Sequence, residues 1–240
     1  DPVAKPKDKD YSMEHLLTLT TAEQWLNMAP MEEPTTTKFS EIRIVPKDSG
    51  GVLFVKIPLN KDDELLKKIL AREIDTLEEL KDRKLGNVSP TVFFSDRDYP
   101  ILVMEGSGDS VLDEQVYSIK PESRISLLLE LAEHIHALHR EVWVHRDIKP
   151  QNITVSGASS SAGVGYHGLI DYGSALRINR KQGSDPGGRS RTAFFGHHSQ
   201  EGADLRASGG QDWYSFARVA LYLVAIPATT NNQEFDKQID

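Results

Sequence analysis

The feature that most constrains this 240-residue chain is a segregation of patterns. Short alternating runs crowd the first 105 residues, and long helical patterns dominate the rest. In FSEIRIV, Ile42 and Ile44 alternate with Glu41 and Arg43, the period of a half-buried strand. Lys47–Gly51 is a turn, and GVLFVKI follows as a second strand, so the pair reads as a hairpin. Thr91–Ser95 and Ile101–Glu105 repeat the pattern around the turn Asp96–Pro100. Between them, residues 61–84 place Leu66, Leu70, Ile74 and Leu77 at helical spacing, with Gly86 as a stop. Two further helices follow. Residues 121–140 open on Pro121 and carry the stripe Leu127, Leu128, Leu131, Ile135 and Leu138, and residues 211–226 are mostly apolar and expected to be buried. Strands first and helices later argue for an α+β protein of two lobes, divided near Gly106–Asp109.

The ends and joints are weaker in pattern. Residues 1–12 are a polar tail, and residues 21–29 form a short helix capped by Thr21. MEEPTTT breaks the chain before the first strand. A Ser/Gly loop spans residues 157–168, and residues 179–210 carry seven glycines among Arg and Ser. The organisation expected is an N-terminal extension over 1–30, a first lobe over 31–106 and a second over 107–240.

Charge and composition exclude several classes. The net charge of −8 disfavours a surface built to grip phosphate backbones, so no nucleic-acid partner is expected. The longest uncharged apolar run, Val219 to Ala228, is about ten residues, too short for a membrane segment. With no cysteine there are no disulfides and no thiol nucleophile. The chain starts at Asp1 without a signal-peptide pattern and reads as a domain excised from something longer.

The chemistry concentrates in one string, His145-Arg146-Asp147-Ile148-Lys149-Pro150-Gln151-Asn152. Nineteen residues beyond Asn152 comes Asp171-Tyr172-Gly173, after the apolar pair Leu169-Ile170. Six specified residue types at fixed spacing arise by chance about once in a million chains of this size, so a coincidental polar loop is set aside. The string resembles the His-Arg-Asp catalytic loop of the eukaryotic-type protein kinase family, and Asp171-Tyr172-Gly173 resembles its metal-binding Asp-Phe-Gly with Tyr in place of Phe. The resemblance covers roughly residues 40 to 226. It implies a two-lobed fold, with a small β-rich N-lobe containing one main helix and a mostly helical C-lobe; this chain departs from the family in ending soon after the αF-like helix 211–226, so a truncated C-lobe is expected.

The resemblance also assigns roles. Asp147 would accept the proton of the attacking hydroxyl, Lys149 would steady the γ-phosphate, and Asn152 and Asp171 would hold Mg2+. Lys at position 149 is typical of members that act on Ser and Thr. Lys56 and Glu73 would form the strand–helix ion pair that positions the phosphates, with Leu77 one turn further along the helix. Met104 would stand as gatekeeper beside adenine, and Glu105 to Ser107 would offer backbone groups to its edge. Asp212 resembles the buried carboxylate that anchors the catalytic loop. Gly173 to Glu201 would be an activation segment ending at Ser199-Gln200-Glu201, with Ser184, Ser190 and Thr192 near Arg189 and Arg191. A phosphate on that segment would pair with Arg146.

Two departures oppose full activity. No Gly-x-Gly-x-x-Gly precedes Lys56, and MEEPTTTKFS stands as a shorter loop without glycine. Phe54 occupies the position over adenine where the family usually has Ala, which would narrow the base pocket. The expected function is transfer of phosphate from ATP, with Mg2+, to Ser/Thr hydroxyls of a protein substrate in the cytoplasm or nucleus. The alternative is a pseudokinase that serves as a nucleotide-binding or scaffolding module. A small-molecule kinase is disfavoured because those families usually show His-Gly-Asp.

Overall fold

The computed structural model describes residues 10–82, 90–106, 110–156, 164–179, 195 and 207–225. The chain divides into two compact units, Asp1–Lys81 with Thr91–Gly106, and Asp82–Pro90 with Ser107–Asp240.

In the first unit, helices α1 (Met13–Leu17) and α2 (Ala22–Leu26) precede the strands β1 (Thr35–Thr36), β2 (Ser40–Pro46) and β3 (Val52–Pro58). Helix α3 (Glu64–Asp82) and strands β4 (Val92–Asp96) and β5 (Ile101–Glu105) complete it. The strands form one antiparallel sheet in the order β1-β2-β3-β5-β4. The β2–β3 hairpin forms because Gly50 and Gly51 supply φ values of 85° and 79° at its turn. There the Gly50 N–H donates to the Lys47 carbonyl and the Lys47 N–H to the Gly51 carbonyl, each at 3.1 Å.

Register then decides what each sheet face carries. Ile42 stands opposite Lys56, and Phe54 stands opposite Met104, so these residues share one face. Leu53, Val55 and Ile57 point to the other face and join Val45, Ile101 and Val103 in a buried core. That core is closed by Leu16, Ala22, Trp25 and Met28, so residues 13–28 are an integral layer of the first unit. Trp25 is fully buried, with its ring edge-on to Phe93 at 5.8 Å. Thr21 caps α2 in a reciprocal capping box with Gln24. Helix α3 starts later than residue 61 because the Asp63 carboxylate accepts from the Leu65 and Leu66 N–H groups and fixes the first turn there. Its buried face carries Leu70, Glu73, Ile74, Leu77 and Leu80. Gly86 lies outside the described residues.

The second unit contains β6 (Ser110–Val111), α4 (Leu112–Gln115), α5 (Pro121–Arg140), β7 (Trp143–Val144), β8 (Ile153–Ser156), β9 (Gly165–Leu169), β10 (Leu176–Arg177) and α6 (Gly209–Ala225). Strands β6, β8 and β9 form one small sheet, and β7 pairs with β10. Helix α5 spans the residues its pattern predicts and buries Leu127, Leu131, Ile135 and Leu138. Helix α6 corrects the expectation of a buried element. It buries Gln211, Asp212, Ser215, Val219 and Leu223, and exposes Trp213, Tyr214, Leu221 and Val224. Its apolar residues occupy two faces; one packs against α5 and β7, while Trp213, Tyr214, Leu221 and Val224 remain exposed. A Cβ at Gly209 would meet the His139 ring at 2.9 Å, so that close approach requires glycine at the head of α6.

Candidate active site

The site in the second unit is built outward from one buried carboxylate. Asp212, in the first turn of α6, is fully buried. Its Oδ2 accepts the His145 N–H at 2.8 Å, and its Oδ1 accepts the Arg146 N–H at 2.7 Å. The His139 ring, near the end of α5, places Nε2 2.9 Å from Oδ2. A buried carboxylate needs such partners, and here they hold the loop after β7 in an unusual shape. Arg146 has φ of 70°, a left-handed conformation that costs about 1–3 kcal/mol and persists only under restraint.

That restraint gathers three predicted residues. The Lys149 ammonium donates to Asp147 Oδ2 at 2.7 Å. Asn152 Nδ2 donates to the Asp147 carbonyl at 2.9 Å and to its Oδ2 at 3.0 Å. Asn152 is carried by a short 3-10 turn, Pro150–Asn152, closed by its own N–H to the Lys149 carbonyl. A carboxylate, a cation and an amide thus meet within six residues, from Asp147 to Asn152.

Asp171 is fixed from both sides. The Ile170 N–H donates to the Asn152 carbonyl at 3.0 Å, and His145 Nε2 donates to the Ile170 carbonyl at 3.1 Å. On the other side Tyr172 is fully buried, and the His145 ring meets it at 4.7 Å and 65°. Asp171 itself has φ of 62°. Burial, and then the Asp212 carboxylate, push the Tyr172 phenol well above its ordinary range, so it stays protonated.

The donors suit a hard divalent cation. Asn152 spends its Nδ2 on Asp147, which leaves its amide oxygen, and Asp171 adds a carboxylate. Among the described residues no group of three or more His, Cys, Asp or Glu side chains is placed to hold a metal ion by itself. Two oxygen ligands fit Mg2+, which keeps waters and is completed by substrate phosphates rather than by a full protein cage.

In the first unit, the Lys56 ammonium donates to Glu73 Oε2 at 2.7 Å, joining β3 to α3. Both side chains are buried, at 8% and 1% exposure, so the pair is sheltered from solvent screening. Phe54 lies two residues before Lys56 on the same face, half-buried, opposite Met104. Glu105 accepts from Lys47 Nζ at 3.1 Å through its side chain. The N–H groups of Glu105 and Gly106 are spent on the Thr91 and Val52 carbonyls. Ser107 lies outside the described residues, as do Ser184, Arg189, Ser190, Arg191, Thr192 and Ser199-Gln200-Glu201. The stretch before β2 folds back as a tight hairpin, in which Thr35 pairs with Ile42 and the Thr37 hydroxyl accepts from the Phe39 and Ser40 N–H groups. Gly50 and Gly51 serve the following turn.

Sequence reasoning missed three residues of this network. His139 on Asp212, and His134 with Tyr166 around Tyr172, come together only through folding, and no local motif marks them.

Comparison with known proteins gives the family. The family model for the protein kinase domain matches residues 38–199, and the chain belongs to that family. Human citron Rho-interacting kinase is 30% identical over 151 residues, covering 59% of this chain and 7% of its own length. Mouse serine/threonine-protein kinase MRCK gamma is 32% identical over 150 residues, covering 59% and 9%. Rabbit cyclin-dependent kinase-like 2 is 32% identical over 136 residues, covering 55% and 23%. The chain therefore spans less than a quarter of the length of these relatives.

Proposed function

We propose that this chain transfers the γ-phosphoryl group of ATP to Ser or Thr hydroxyls of protein substrates. The observation that carries this reading is the Asp147–Lys149–Asn152 cluster, held on a loop that Asp212 anchors. Phosphoryl transfer needs little covalent chemistry from the protein, and depends on positioning and charge stabilisation. Asp147 orients the acceptor hydroxyl and takes its proton. Lys149, now paired with Asp147, carries the cation that would steady the transferred group. Lys56, held by Glu73, would place the phosphates. Asn152 and Asp171 would hold Mg2+, whose part is to neutralise charge on the triphosphate. Met104 and Phe54 share the face of Lys56 and would contact the base, with the Glu105 carbonyl and Ser107 at its edge.

The test is transfer of labelled γ-phosphate to the chain itself and to Ser-, Thr- and Tyr-bearing peptides. Transfer to Ser and Thr, lost by orders of magnitude in a folded Lys56→Met variant, supports the reading. Transfer only to Tyr, or only to a small molecule, overturns the acceptor class. A second reading, a nucleotide-binding or scaffolding pseudokinase, is favoured by one observation. The hairpin tip at residues 37–40 has no glycine and is closed by Thr37, through its N–H to the Ser40 carbonyl and its hydroxyl to the Phe39 and Ser40 N–H groups. ATP binding without any transfer selects it.

A further inference from the structure

Tyr172 carries a hydroxyl where phenylalanine would carry none, and that hydroxyl is not idle. It lies 3.3 Å from Nε2 of His134, a residue on α5 that is 6% exposed. The opposite nitrogen of the same ring, Nδ1, lies 2.6 Å from the Tyr166 hydroxyl on β9. The His134 and Tyr166 rings also meet edge to face at 5.7 Å and 88°. A neutral imidazole donates from one nitrogen and accepts at the other, so both hydroxyls are served by a single ring.

We infer that Tyr166 and His134 are positioning residues, forming a hydrogen-bonded relay that fixes the Tyr172 ring and thereby holds Asp171 in its left-handed conformation. The inference rests on the proposed role of Asp171 in the site. Asp171 lies between two anchored neighbours. Ile170 is tied to Asn152 and His145, and Tyr172 is packed on the His145 ring. Packing confines the Tyr172 ring but gives its hydroxyl no direction, because dispersion contacts are individually weak and weakly directional. The hydroxyl bond adds direction, and the second bond from Tyr166 fixes the plane of the imidazole that receives it. The same geometry would tie the helix α5, the strand β9 and the Asp171 turn into one unit of order. None of these groups need touch the substrate, so the relay acts through Asp171 alone.

A double-mutant cycle on the whole chain tests this, with Tyr166→Phe, Tyr172→Phe and the pair. Each variant removes one oxygen and keeps its ring. The first readout needs no nucleotide. It is hydrogen exchange at the Ala175 amide, which donates to the Tyr172 carbonyl at 2.9 Å. Tyr166→Phe should accelerate that exchange about tenfold, and the effect should vanish when Tyr172 is already Phe, because the relay then has no end to hold. The second readout is turnover, where Tyr166→Phe should lower kcat about five- to tenfold and raise the Mg2+ concentration needed for ATP binding, as expected of an effect that passes through Asp171. Exchange that is unchanged in a folded Tyr166→Phe protein, or equally accelerated in both backgrounds, overturns the relay. Coupled exchange in a parent that transfers no phosphate keeps the relay and removes the proposed activity. His134→Phe serves as a check that the ring nitrogens matter, and exchange identical to the parent in that variant also overturns the inference.

Discussion

The two units solve the same problem, holding a charged group still, by different means. In the first unit Lys56 is held by Glu73, seventeen positions away on another element, with the sheet as the frame. In the second, Asp147 is fixed by partners two and five residues along a loop, and the frame is a single carboxylate, Asp212. The first design depends on core packing, because the pair moves if β3 or α3 moves. The second depends on hydrogen bonds, because the loop holds a left-handed residue, Arg146, that packing would not choose.

The contrast predicts where each unit is vulnerable. Trp25→Ala should cost the first unit about 3–5 kcal/mol, as expected for a buried aromatic whose cavity cannot fully collapse. Denaturant unfolding monitored by hydrogen exchange in β3 and β5 would measure it. A loss under about 1 kcal/mol would show that residues 13–28 merely rest on the sheet. Next in size, Lys56→Met should cost about 3 kcal/mol by removing the ammonium that the buried Glu73 carboxylate accepts from, and adding Glu73→Leu should recover most of it. Equal stability of the single and double variants would mean that the pair is not sheltered as its burial implies.

The second unit should respond to polar changes instead. Asp212→Ala leaves the His145 and Arg146 amides without their acceptor, at a cost of about 2–3 kcal/mol. Thermal unfolding checks the size, and hydrogen exchange at these two amides checks the cause. Smaller until about pH 11 is a pH effect from the buried Tyr172 phenol and the half-buried Tyr166 phenol. Burial raises both Tyr166 and Tyr172 above the ordinary value near 10. Folded protein therefore keeps protons that the unfolded chain releases. Their contribution is complete below about pH 10 and falls as pH rises beyond it, by about 1.4 kcal/mol per pH unit for each phenol. Urea midpoints at pH 8, 10 and 11 would show the decline, and Tyr166→Phe should roughly halve its slope. A flat midpoint across that range would mean that both hydroxyls are freely hydrated.

Legibility in the sequence followed the same divide between local and distant. The residues from His145 to Asn152 are consecutive, so their chemistry could be read as a string. The β2–β3 hairpin and α5 were equally plain, because alternation, turn glycines and a proline at the helix start are local signals. Trp25 was not legible as core, because a five-residue helix has too little pattern to reveal that it covers a distant sheet face. Helix α6 misled in the opposite direction. Apolar composition alone does not say which face is covered, and Trp213, Leu221 and Val224 remain exposed. His139, His134 and Tyr166 gave no signal at all, since each looks like an ordinary residue in its own element until the fold brings its partner.

The central claim, that Asp147 serves proton transfer and Asp171 serves the metal, is tested most directly by one paired titration. ATP binding is measured with and without Mg2+ for Asp147→Asn and Asp171→Asn, with turnover measured beside it. Asp147→Asn should keep Mg2+-dependent binding while transfer falls by about 100-fold or more, as for a positioned acid–base group. Asp171→Asn should lose both the Mg2+ dependence of binding and the turnover. If both folded variants bind and transfer like the parent, the account is contradicted.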